Sequence, residues 1–170
     1  VDLNGLEREE AARQTIDAAR SGADVIVQAA LVDGRWNGRA DILERVEEES
    51  ELGGWSYDVL DTKLAQETRG GTVLQLCLYA DLLAKVQGRP AQRMTVVKPG
   101  AGFPREEFRF AEFEAYYRLV KRGLGEFVDR AERVEPYPEP VPHCDICRWW
   151  PRCDERRHTD DHLSLVAGMP

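Results

Sequence analysis

The sequence predicts an α/β fold, a mixed central sheet flanked by helices, followed by a small C-terminal cysteine cluster. Three observations lead there. Short β-branched runs alternate with longer stretches of helical periodicity, in the order helix, three strands, helix, one or two strands, helix. A hairpin signal, Asp33-Gly34, joins the first two runs. Pro136, Pro138, Pro140 and Pro142 then impose an extended linker that leads to closely spaced cysteines. This divides the 170-residue chain into a core over 1–135 and a linker with a cysteine region over 136–170.

The opening from Leu6 to Arg20 is rich in Glu, Ala and Arg and suits a helix that Ser21-Gly22 ends. Asp24 to Val32 carries an apolar, β-branched run that suits a buried strand. After the turn, a second strand runs from Arg35 to Val46. The acidic stretch Glu47–Glu51, closed by Gly53-Gly54, is a solvated loop, and a third strand follows from Trp55 to Leu64. Thr72 to Gln87 is the clearest helix, with Leu74, Cys77, Leu78 and Leu82 at helical spacing and Gly88 and Pro90 as stops. Arg93–Val97 is a fourth strand and Glu107–Phe110 a short fifth. A last long helix runs from Ala111 to Arg133.

Composition narrows the function. With 42% hydrophobic and 32% charged residues, the chain reads as globular. No apolar run approaches the ~20 residues of a membrane helix. Val1-Asp2-Leu3-Asn4 lacks the pattern of an export signal, so the cytoplasm is the expected compartment. A net charge of -8 argues against coating nucleic acid by bulk charge. All three histidines lie at or after position 143, which argues against a His-based triad. P-loop, Rossmann and nucleophile-elbow motifs are absent from the sequence.

The chemistry lies in a set of carboxylates. Asp61 and Lys63 stand two apart on the third strand and therefore share a face. Asp41, in Gly38-Arg39-Ala40-Asp41, lies on the preceding strand, and hairpin pairing brings the two acids together. Converging carboxylates suit Mg²⁺ or Mn²⁺, which take hard oxygen ligands and leave positions for water and phosphate. Asp-x-Lys is also a common tripeptide, and at a strand end it can be a simple ion pair. Gln75 and Tyr79, four apart, share one face of the best helix. On the plainer reading, Gln75 is a surface residue and Tyr79 a core aromatic.

Cys144, Cys147 and Cys153 give a Cys-x₂-Cys-x₅-Cys pattern that reads as metal-binding in a reducing compartment. Two completions fit: Zn²⁺ with His143, His158 or His162, or a [4Fe–4S] cluster with a fourth cysteine from elsewhere. Cys77 lies on an apolar helix face and reads as a buried core thiol. Arg148, Trp149, Trp150, Arg152, Arg156 and Arg157 surround the cysteines. They suit either stacking and phosphate contact with single-stranded DNA or a packed Trp pair with solvated arginines.

The ordered set Gly38-Arg39-Ala40-Asp41, Asp61-Thr62-Lys63 and Gln75-x-x-x-Tyr79 resembles the RecB-like branch of the PD-(D/E)XK nucleases, over about Asp24 to Asp161. Val25–Leu31, Trp36–Asp41 and Gln75–Leu83 are also similar to a bacterial group in which this domain is fused to a helicase. The resemblance implies a restriction-endonuclease-like fold and a metal-dependent DNA nuclease, an exonuclease on single strands or ends. In that reading Asp41, Asp61 and the Thr62 carbonyl bind the metal, Lys63 is catalytic, and Gln75 and Tyr79 sit beside the DNA. It also favours the [4Fe–4S] completion, with Cys144, Cys147 and Cys153 as cluster ligands and a structural role. The family carries a His or Glu ligand on a helix ahead of the first strand. Glu9 or Glu10 stand nearest that place. The simpler expectation puts that helix, and the fourth cysteine, upstream of Val1, leaving the metal site incomplete. A non-catalytic nucleic-acid-binding or scaffold module remains the rival reading.

Overall fold

A computed structural model describes residues 1–130 and 136–166. They form two compact units, Val1–Val128 and Asp129–Pro170. The first holds a five-stranded sheet in the order β1 (Val25–Asp33), β2 (Trp36–Val46), β3 (Ser56–Thr62), β4 (Arg93–Val97) and β5 (Arg105–Arg109). Every pairing is antiparallel except β3 with β4. Parallel neighbours need a crossover, and α2 (Gly70–Gln87) supplies it. The sheet is mixed and flanked by α1 (Arg8–Arg20) and α2, a restriction-endonuclease-like α/β fold.

α1 is anchored to β1 by one buried hydroxyl. Thr15 Oγ1 donates to Ala11 O at 2.8 Å and accepts Ala30 N–H at 3.0 Å. Ser21 caps the helix, and Gly22 turns the chain with φ 72°. α2 buries Val73, Leu76, Cys77, Ala80 and Leu83, the spacing of a single helix face. It ends at Gly88, whose left-handed backbone lets its N–H reach Ala84 O at 2.8 Å. Gln87 is buried beneath that end. Its Oε1 accepts Tyr57 N–H at 2.8 Å and its Nε2 donates to Tyr57 O at 3.3 Å, locking α2 to the start of β3. β3 is buried along all but its last residue, as befits the centre of the sheet.

Three boundaries differ from the sequence expectation. β3 stops at Thr62, and Leu64 is almost fully exposed. β5 begins at Arg105, because pairing with β4 recruits the charged Arg105-Glu106-Glu107 that propensity disfavours. Phe110 opens α3 (Phe110–Asp129) and does not close a strand. Its N–H donates to Gln92 O at 3.1 Å and its ring meets Tyr117 edge-on at 6.2 Å. The expected end of that helix, 131–133, lies outside the described residues.

The second unit carries a short 3-10 turn, Pro142–Ile146, then α4 (Trp150–Thr159) and a second 3-10 turn, Leu163–Leu165. No helix among the described residues is long and apolar enough to cross a membrane.

Candidate metal centre

Strand register builds the site. In the β1–β2 hairpin Val27 faces Ile42 and Ala29 faces Ala40, so Gln28 stands opposite Asp41. In the β2–β3 pair Ile42 faces Leu60, which brings Asp41 opposite Asp61 one residue further on. Gln28, Asp41 and Asp61 therefore form one row across three strands.

Asp41 is held at both oxygens. Oδ2 accepts the Thr62 N–H at 2.8 Å and the Thr62 hydroxyl at 2.7 Å, and Oδ1 accepts Gln28 Nε2 at 3.1 Å. Partial burial works to raise its pKa. The bonds from Thr62, with those from Asp61 and Gln28, outweigh burial and leave it lowered. Asp61 is only 2% exposed. Its Oδ2 is buried and makes no aligned hydrogen bond, while the Lys63 ammonium lies against it as an ion pair. Burial raises the Asp61 pKa; Lys63 opposes that, and the nearby Asp41 adds to it. The two carboxyls are thus shifted in opposite directions for different reasons, Asp41 down by its hydrogen bonds and Asp61 up chiefly by burial.

The Lys63 ammonium also donates to Gln75 Oε1 at 3.2 Å, and Gln75 Nε2 donates to the Tyr79 hydroxyl at 2.6 Å. Tyr79 is buried against β2, where Gly38 leaves room for its ring: a Cβ at Gly38 would fall on Tyr79 Cε1. A continuous polar chain thus runs from Tyr79 through Gln75, Lys63 and Asp61 to Asp41. The spacing argument had no role for Gln28 or for the Thr62 side chain. The hairpin signal did not contain the first: a turn on Asp33-Gly34 puts residue 28 opposite 39, whereas the observed turn is Gly34-Arg35, with Asp33 facing Trp36, and puts it opposite 41. Glu10 is not part of this centre; it bonds Gln14 Nε2 at 2.6 Å and pairs with Arg13.

The donor set fits a hard divalent ion. Mg²⁺ binds through one or two carboxylates and otherwise keeps water or phosphate oxygen. Two adjoining carboxylates, one with a buried oxygen that lacks an aligned partner, meet that need. Among the described residues, no three His, Cys, Asp or Glu side chains gather as a ready-made ligand group.

That statement extends to the cysteines. Cys144, Cys147 and Cys153 are half-buried free thiols, the first two at either end of one tight turn in which Cys147 N–H donates to Cys144 O at 3.1 Å. Val141 N–H donates to Cys144 Sγ at 3.4 Å. His158 and His162 are engaged elsewhere, His158 with Asp154 O and His162 with Ser164 and the Tyr137 ring. The arginines stack on aromatics, Arg148 over Trp149 at 5.0 Å, Arg157 over Trp150 at 4.6 Å and Arg156 over Tyr137 at 5.3 Å. Cys77 is fully buried, and burial pushes its thiol up to about 11.

No curated protein matches this sequence. A family model does, over residues 4–154, from ahead of α1 through the last cysteine. Its description covers enzymes that are in general metal-dependent nucleases, in keeping with an acid pair and lysine at the end of a central strand. On that match, which spans most of the chain, the protein belongs to the PD-(D/E)XK nuclease superfamily.

Proposed function

We propose that the chain is the catalytic module of a Mg²⁺- or Mn²⁺-dependent DNA nuclease of the RecB-like branch, acting as an exonuclease on single strands or ends within a larger protein that includes a helicase. The observation that carries the reading is the facing pair Asp41 and Asp61, linked through Lys63 to Gln75 and Tyr79. Asp41, Asp61 and the Thr62 carbonyl would hold the ion. When bound, it would acidify water and neutralise charge on the scissile phosphate.

The protein's own groups do the rest. Thr62 and Gln28 fix the Asp41 carboxylate, so its orientation is set before substrate arrives. Lys63 holds a fixed positive charge beside the carboxylates, where negative charge builds on phosphorus. Gln75 and Tyr79 face the strand: a phosphate that takes Lys63 from Gln75 Oε1 frees the amide for substrate. The cysteine turn is read as the ligand set of a structural [4Fe–4S] cluster, with Zn²⁺ as the alternative, and the Arg–Trp pairs beside it as contacts to single-stranded DNA.

The test uses the full chain with Mg²⁺ or Mn²⁺ and end-labelled single- and double-stranded DNA. Asp61→Asn is expected to lower cleavage by more than about 100-fold. Unchanged cleavage by that variant rejects the reading. A second reading, a nucleic-acid-binding module without catalysis, draws on the lack of a third His, Cys, Asp or Glu beside Asp41 and Asp61 among the described residues. Tight binding of single-stranded DNA with no cleavage in any divalent metal would select it.

A further inference from the structure

Gln28 is the one non-glycine residue inside a described strand that has a left-handed backbone, with φ 57°. The other two, Phe103 and Asp161, lie in loops. A side chain in that region costs about 1–3 kcal/mol and persists only where the surroundings hold it. Here the strain falls at one functional position. The β1–β2 ladder pairs Val27 with Ile42 and Ala29 with Ala40 and skips the pair between them, Gln28 and Asp41. In its place stands a side-chain bond, Gln28 Nε2 to Asp41 Oδ1 at 3.1 Å.

The outer edge of β1 holds the distortion in place. Val27 N–H donates to Val1 O at 2.8 Å and Val27 O accepts Leu3 N–H at 3.0 Å, so the residue before Gln28 is clamped by the amino-terminal segment. A carboxylate oxygen offers two lone-pair directions. Thr62 takes both at Asp41 Oδ2, whereas Gln28 takes one at Oδ1. Asp61 also bonds this carboxylate, so Gln28 and Thr62 hold Asp41 from two sides while it faces its acidic neighbour.

We infer that Gln28 is a positioning residue of the metal site: its strained backbone turns the amide onto Asp41 Oδ1 and fixes that carboxylate beside Asp61, where the ion would sit. This rests on the reading of Asp41 and Asp61 as metal ligands. Groups that orient a ligating carboxylate in this way typically contribute 10–100-fold to metal affinity.

The test titrates Mn²⁺ calorimetrically into the full chain, comparing wild type, Asp61→Asn, Gln28→Gly and Gln28→Met, with folding checked by circular dichroism. Glycine accepts the left-handed backbone without a side chain, and methionine keeps the length without the donor. Both Gln28 variants are expected to bind Mn²⁺ about 10-fold or more weakly. They should also need correspondingly more metal for half-maximal cleavage. Folded Gln28 variants with wild-type Mn²⁺ affinity overturn the inference. Failure of both to fold also overturns it, because Gln28 would then serve the hairpin alone. If wild type and Asp61→Asn bind Mn²⁺ equally, the fault lies with the metal-site reading and not with Gln28.

Discussion

Gly38 and Asp61 show how single residues set this site. Gly38 exists in β2 because the Tyr79 ring lies where a Cβ would be. Gly38→Ala should push the ring off its place, break the Gln75–Tyr79 bond, and lower stability by about 1–3 kcal/mol. Thermal unfolding and cleavage assays check this; an unaltered melting temperature with normal cleavage would count against it. Asp61 shows the reverse trade. Its carboxylate is buried beside Asp41, so Asp61→Asn removes a like-charge contact. In metal-free buffer that variant should melt at or above the wild-type temperature, and Mg²⁺ should stabilise wild type but not the variant. A variant that melts well below wild type without metal contradicts this. Period puts Asp61 with Lys63 and Gln75 with Tyr79 on shared faces, but it was the family resemblance, not spacing, that joined them with Asp41 into one expected site. The left-handed backbone of Gln28 was not legible, because an apolar, β-branched run reads as regular strand throughout.

At the scale of elements, α2 is the part that both covers and aligns the centre. Gln75 and the buried Tyr79 keep their places only if the helix keeps its rotation, and Gln87 fixes that at the far end by bonding both backbone groups of Tyr57. Gln87→Leu would leave a buried N–H and a buried carbonyl without partners, for a loss of about 2–4 kcal/mol. Chemical denaturation measures it; a loss under about 0.5 kcal/mol would mean the helix is held by apolar packing alone. Composition gave α1, helical spacing gave α2, and β-branched runs bounded by turn signals gave the first four strands. The same signals misplaced the β5–α3 junction because Phe108 and Phe110 suit either element. The choice of Phe110 for the helix comes with its N–H bond to Gln92 O, from a segment ahead of β4, and with Tyr117 about two turns further along the same helix. β5 itself is an edge strand, and its charged residues oppose the next pairing partner more than they favour a strand.

Across the whole molecule, the thiols separate into two classes. Cys77 is sealed in the core and held protonated, whereas Cys144, Cys147 and Cys153 are partly open on their turn and first helical residues. In native, chelator-treated protein, an alkylating reagent should modify three cysteines and spare Cys77; metal or cluster loading should then protect the three. Rapid labelling of all four thiols, or no protection on loading, would contradict this division. The cysteine spacing was plain in sequence, yet the choice between the proposed zinc and iron–sulfur readings was not, because a fourth ligand is a question of tertiary position. The central claim, that Asp41 and Asp61 share one divalent ion beneath Gln75 and Tyr79, is tested most directly by anomalous diffraction from crystals grown with Mn²⁺. The account predicts a peak within bonding distance of Asp41 Oδ1 and Asp61 Oδ2. Anomalous density elsewhere on the molecule, with none at that pair, would contradict it.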